Sequence, residues 1–169
     1  VVLVHGFGSS RQQNWKSTGW YGSLTEAGFS VLAMDCRGHG MSGKPHDEAF
    51  YGHDRMSEDV AAVMDAAGIG SAPLVGYSMG GFLALRLAAH HPSRPSRMAL
   101  CGVGEYYLRG NRIADDASRT ALADALLVSD KSRLTGRARM VRDFADQPGK
   151  DRLALAACMR AMSQGLAPD

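Results

Sequence analysis

The sequence predicts an α/β fold, with a four-stranded parallel sheet interleaved with helices and followed by a helical segment. Two observations predict it. Short apolar runs without polar alternation read as strands buried on both faces. Helix-length stretches separate them, a rhythm that calls for right-handed crossovers. Glycine supplies the second observation: 16 of the 20 fall within residues 1–104 and four within 105–169. The front is therefore rich in tight turns, while the back is free to be helical. This division sets the expected domains as a sheet-bearing core over 1–104 and a helical segment over 105–169.

The strand runs are 1–5, 30–35 (SVLAMD), 72–77 (APLVGY) and 97–101 (RMALC), each ending at glycine or turn residues. Between them, 14–27, 55–67 and 80–91 read as helices. In the second, Val60, Ala61, Val63, Met64 and Ala67 form an apolar stripe at helical spacing. Behind the core, 116–128, 136–146 and 150–163 read as amphipathic helices, the last with Leu153, Leu155, Ala156 and Met159 on one face. Lys131, Arg133, Arg137, Arg139 and Arg142 make this region basic. The interleaved Asp143 and Asp146 mark a solvated helix face rather than an anion site.

The balance of 19 Lys+Arg against 17 Asp+Glu gives a formal charge of +2 over 169 residues. That argues against nucleic acid as a partner, since phosphate binding needs a basic excess. No apolar run approaches the ~18 residues of a membrane span. The opening Val1-Val2-Leu3-Val4-His5 lacks the features of a signal peptide. Cys36, Cys101 and Cys158 are too few and too far apart for a disulfide framework or a zinc site. Reduced cysteines in a cytoplasmic protein are the expectation. The chain opens without Met, inside a strand, so further sequence is expected before Val1.

The segment richest in chemistry is Gly76-Tyr77-Ser78-Met79-Gly80-Gly81, a G-x-S-x-G between a strand and a helix. A nucleophile raised from a sheet end needs a sharp, strained turn, and Gly76 and Gly80 remove side chains that would collide across it. The following helix turns its N-terminus, with free N–H groups, toward the same place. Alone, the motif fits an incidental serine in a plain strand-to-helix turn equally well. A dinucleotide-binding loop is a poorer fit, because the G-x-G-x-x-G spacing and its later acid are absent.

Two further segments bear on the choice: His5-Gly6-Phe7-Gly8 after the first strand, and Asp35-Cys36-Arg37-Gly38-His39-Gly40-Met41-Ser42 after the second. With the serine motif, in this order, they resemble the α/β-hydrolase superfamily over residues 1–104. The likeness extends loosely to 105–169, where such enzymes insert a helical cap. It implies a partial α/β-hydrolase core with strands in the order second–first–third–fourth. The chain then reverses direction between the first and third strands, making the crevice where open α/β sheets bind ligands.

The resemblance assigns Ser78 as nucleophile, the backbone amides of Phe7 and Met79 as the oxyanion hole, and His5 and Gly6 to the substrate-side loop. It implies a small-molecule acyl substrate and neither a metal nor an organic cofactor. Serine at position 78, rather than aspartate, argues against the dehalogenases and epoxide hydrolases of the superfamily.

The acid and the histidine follow the nucleophile in this superfamily. After Ser78 the chain offers only His90 and His91. Both end a helix of ~12 residues, some ~15 Å from the serine at 1.5 Å per residue. The expectation is a fragment whose acid and base lie beyond Asp169, inactive as it stands. Glu105 with His5 or His39 is the internal alternative, and a non-catalytic ligand-binding module is the rival class.

Overall fold

The computed structural model describes residues 1–104 and 116–162. The chain divides into two units: Val1–Cys36 with His53–Val103, and Arg37–Gly52 with Gly104–Asp169.

The first unit holds the sheet: β1 (Val2–Val4), β2 (Leu32–Met34), β3 (Ala72–Tyr77) and β4 (Pro95–Cys101). All neighbours pair in parallel, in the order β2-β1-β3-β4 that the motifs imply. Val2, Leu3 and Val4 are completely buried, as an apolar strand between two neighbours requires. Helices α2 (His53–Ala66) and α3 (Met79–His90) complete the layer. The predicted stripe is buried at Val60, Ala61 and Met64 and joined by Met56. Phe82, Leu83 and Leu87 bury the facing side of α3. At the end of α3, Arg86 Nε donates to Asp54 Oδ1 at 2.7 Å. His90 lies 3.1 Å from the same oxygen, and His91 lies 2.8 Å from Glu58.

The continuous helix expected over 14–27 is two elements. A π-helical turn spans Gln12–Lys16, and α1 runs from Trp20 to Glu26. Gly19 separates them at φ +83°, a conformation that ends a helix. The Thr18 hydroxyl donates back to the Asn14 carbonyl at 2.6 Å, satisfying a group that the break leaves open. Trp15 of the π turn is buried against Leu3 and Val75 and so holds the turn to the sheet.

The second unit contains α4 (Asp116–Leu127), α5 (Gly136–Ala145) and α6 (Arg152–Ala161). Leu126, Ala145, Leu155 and Cys158 are buried here. Residues 37–52, which the glycine spacing groups with the front, cluster with these helices. His46 bonds Asp151, and Glu48 pairs with Arg160. The basic stripe is neutralised locally, with Lys131 bonded to Asp143 and Asp146 and Arg139 bonded to Asp143. Arg142 likewise pairs with Asp146, at 2.9 Å, but it is buried and also donates to the Ala125 and Val128 carbonyls at the end of α4. Among the described residues, no helix is long and apolar enough to cross a membrane.

Candidate active site

β1 and β3 are neighbours, with Val4 opposite Gly76, so the chain leaves both strands side by side. From β1 it enters the His5–Ser9 loop; from β3 it turns at once into α3. Ser78 is the turning point, with φ +50° and ψ −114°. Among the described residues it is the one non-glycine with a positive φ. Such a backbone costs about 1–3 kcal/mol and persists only where its surroundings enforce it.

The enforcement is visible on every side. The Ser78 N–H donates to the Cys101 carbonyl at 2.7 Å, and its own carbonyl accepts from Gly81 N–H at 2.8 Å. A side chain on Gly76 would stand 2.6 Å from the Gly80 carbonyl carbon. One on Gly80 would stand 2.8 Å from the His5 carbonyl oxygen and closer still to that of Val4. The two glycines thus serve different contacts: Gly76 lets α3 fold back on β3, and Gly80 lets α3 press on the end of β1. Ser78 itself is half-buried, and its side chain makes no capping bond to α3.

The neighbouring loop is equally constrained. The Gly6 N–H donates to Asn14 Oδ1 at 2.8 Å. The Gly6 carbonyl accepts from Ser9 N–H at 3.2 Å and lies 2.8 Å from His5 Nδ1. Gly8 takes φ +68° to close the turn. His5 is completely buried, and its Nε2 accepts from Cys36 N–H at 2.9 Å. A nitrogen that accepts carries no hydrogen, so the ring proton sits on Nδ1 and is donated to Gly6. Burial pushes the His5 pKa down and keeps the ring neutral.

The structure thus brings His5, Gly6, Phe7, Ser78 and Met79 to one end of the sheet. His5 takes part there by joining the β1 loop to the β2 loop. His90 and His91 stand at the far end of α3, engaged with Asp54 and Glu58. Glu105 lies outside the described residues. Sequence reasoning missed Asn14 and Tyr77. The Tyr77 ring is half-exposed, and a side chain on Gly6 would come within 2.9 Å of it. Asn14 belongs to no motif and Tyr77 fills an unspecified position of G-x-S-x-G, and only the fold brings them to Gly6. Among the described residues, no group of three His, Cys, Asp or Glu side chains is placed to hold a metal ion.

The model of the α/β hydrolase fold matches residues 1–156. The chain belongs to the α/β-hydrolase fold family. It is similar to the dihydrolipoyllysine-residue acetyltransferase component of an acetoin cleaving system from Pseudomonas putida, with 37% identity over 72% of this chain and 33% of the relative. It is also 38% identical to a 2-hydroxymuconate semialdehyde hydrolase from the same organism, over 60% of this chain and 35% of the relative. Among solved structures, the bottromycin epimerase BotH in complex with bottromycin A2 superposes with a TM-score of 0.75. That match has 27% identity and covers 95% of this chain and 62% of BotH. The chain spans about a third of the length of these two curated relatives.

Proposed function

We propose that this chain carries the nucleophile side of a serine hydrolase site for small esters or related acyl compounds. The observation that carries the reading is the enforced positive φ of Ser78 at the end of β3. In this reading the Ser78 hydroxyl attacks the acyl carbon as its proton passes to a base. The carbonyl oxygen becomes an oxyanion, which accepts hydrogen bonds from the backbone amides of Phe7 and Met79. Each such donor is worth about 2.7–4 kcal/mol when removed. The leaving group departs as the proton reaches it, and water then releases the acyl group from Ser78. His5 and Gly6 act by shaping the loop that carries the Phe7 amide.

Hydrolysis needs a base that His90 and His91 do not furnish, since both are held at the other end of α3. His5 offers none either, because both ring nitrogens are engaged. The reading therefore takes its base from neither His5, His90 nor His91. Losing the base costs on the order of 10⁶ in turnover in a worked protease triad. The 169 residues alone are accordingly expected to turn over almost nothing.

The second reading is a non-catalytic module that binds its ligand at the same sheet end. The engaged histidines favour it, and the similarity to an epimerase cautions against reading hydrolysis from fold alone. A fluorophosphonate probe, applied to the chain with its native continuation, separates the two. Labelling that Ser78→Ala abolishes supports the hydrolase, whereas a folded protein that takes no label supports the binding module.

A further inference from the structure

We infer that Asn14 is a positioning residue for the backbone amide of Phe7, an inference that rests on the serine-hydrolase reading above. The argument begins with glycine. Gly6 has no side chain to limit its rotation, so a loop built on it would swing freely without restraint. Both of its peptide units are restrained. The His5–Gly6 unit is held through its N–H, which donates to Asn14 Oδ1 at 2.8 Å. The Gly6–Phe7 unit is held through its carbonyl by the His5 ring and the Ser9 amide. A trans peptide is planar, with N–H and C=O pointing opposite ways. Fixing the Gly6 carbonyl therefore fixes the direction of the Phe7 N–H.

Asn14 reaches Gly6 because of an uncommon local structure. It lies in the π-helical turn Gln12–Lys16, closed by a bond from Ser17 N–H to the Gln12 carbonyl at 2.9 Å. π turns are rare and concentrate at functional sites. Trp15, the next residue, is buried and anchors the turn to the sheet. The tether thus runs from the core through Asn14 to the loop. An amide aimed before charge develops needs no reorganisation during the reaction, so the tether acts on the transition state more than on binding.

The test compares fluorophosphonate inactivation of the chain with its native continuation with that of Asn14→Ala, Asn14→Asp and Thr18→Ala in the same form, alongside amide hydrogen exchange. Asn14→Ala is expected to slow maximal inactivation about 10- to 100-fold, below the cost of deleting a donor outright. The concentration for half-maximal rate should stay within threefold. Exchange at the Gly6 amide should rise at least tenfold, and Asn14→Asp, which keeps an acceptor, should restore its protection. Thr18→Ala removes a bond to the Asn14 backbone but spares the tether, so its inactivation rate should stay within twofold. Inactivation of Asn14→Ala within twofold of wild type, or unchanged Gly6 exchange, overturns the inference. If wild type takes no label at Ser78, the serine-hydrolase reading fails and the inferred role of Asn14 fails with it. The Gly6 exchange then reports whether the tether itself exists.

Discussion

The amide of Ser78 donates to the carbonyl of Cys101 across 2.7 Å, tying the one strained non-glycine corner among the described residues to the end of β4. Tyr77 and Cys101 are partners in the same ladder, so this bond extends the β3–β4 pairing one residue past the strand. The serine cannot relax toward ordinary dihedrals without breaking it. Strain at position 78 is thus maintained by the sheet, which trades stability for a fixed corner.

That trade predicts a gain on removing the strain. Ser78→Gly admits the positive φ without penalty and should raise stability by about 1 kcal/mol, after glycine's own entropic cost is subtracted. Ser78→Ala keeps the strain and should bring no such gain. Urea unfolding of both variants checks the difference.

The two glycines of the elbow should be intolerant in a way their neighbour is not. Gly76→Ala and Gly80→Ala each drive a methyl into backbone of α3 or β1, and each should cost about 3 kcal/mol or more. Gly81→Ala meets the Val103 side chain, which can move, and should cost less. Soluble yield and thermal midpoints of the three variants rank the effects.

Acid should loosen the loop through His5. Its pKa is depressed in the folded state by burial, so below the unfolded value of about 6.5 the unfolded chain binds the extra proton. The contribution is complete above that pH and is lost as pH falls through the folded pKa. Protonation would also set Nε2–H against Cys36 N–H. The His5 ring resonances should remain those of the Nδ1–H tautomer below pH 6, and His5→Gln should flatten the acid limb of the stability curve.

In the second unit, Arg142 is buried and holds the last carbonyls of α4. Arg142→Met leaves those carbonyls without their donor and should cost about 2–3 kcal/mol. Arg137→Met, on the exposed part of the same helix, should change stability by less than about 0.5 kcal/mol. Denaturant midpoints distinguish them.

Much of the first unit was legible because its signals are local. All four strands lie within the runs that apolar composition marks out, apart from two residues at the start of β4, and the strained serine sits where G-x-S-x-G puts it. What escaped depends on contacts between distant residues. Nothing at positions 12–16 announces a π turn; it exists because Trp15 is buried against Leu3 and Val75 while Asn14 bonds Gly6. The grouping of 37–52 with the helical unit likewise rests on pairs such as His46 with Asp151, more than a hundred positions apart. His5 was legible as a loop residue, but its buried, two-sided bonding was not, because that required the position of Cys36.

The most direct measurement is the site of covalent attachment. After fluorophosphonate treatment of the chain with its native continuation, the peptide from Met56 to Arg86 contains Ser57, Ser71 and Ser78. Fragmentation should place the adduct on Ser78 alone, with none in Ser78→Ala. An adduct on a different residue, or undiminished labelling of Ser78→Ala, would contradict the account.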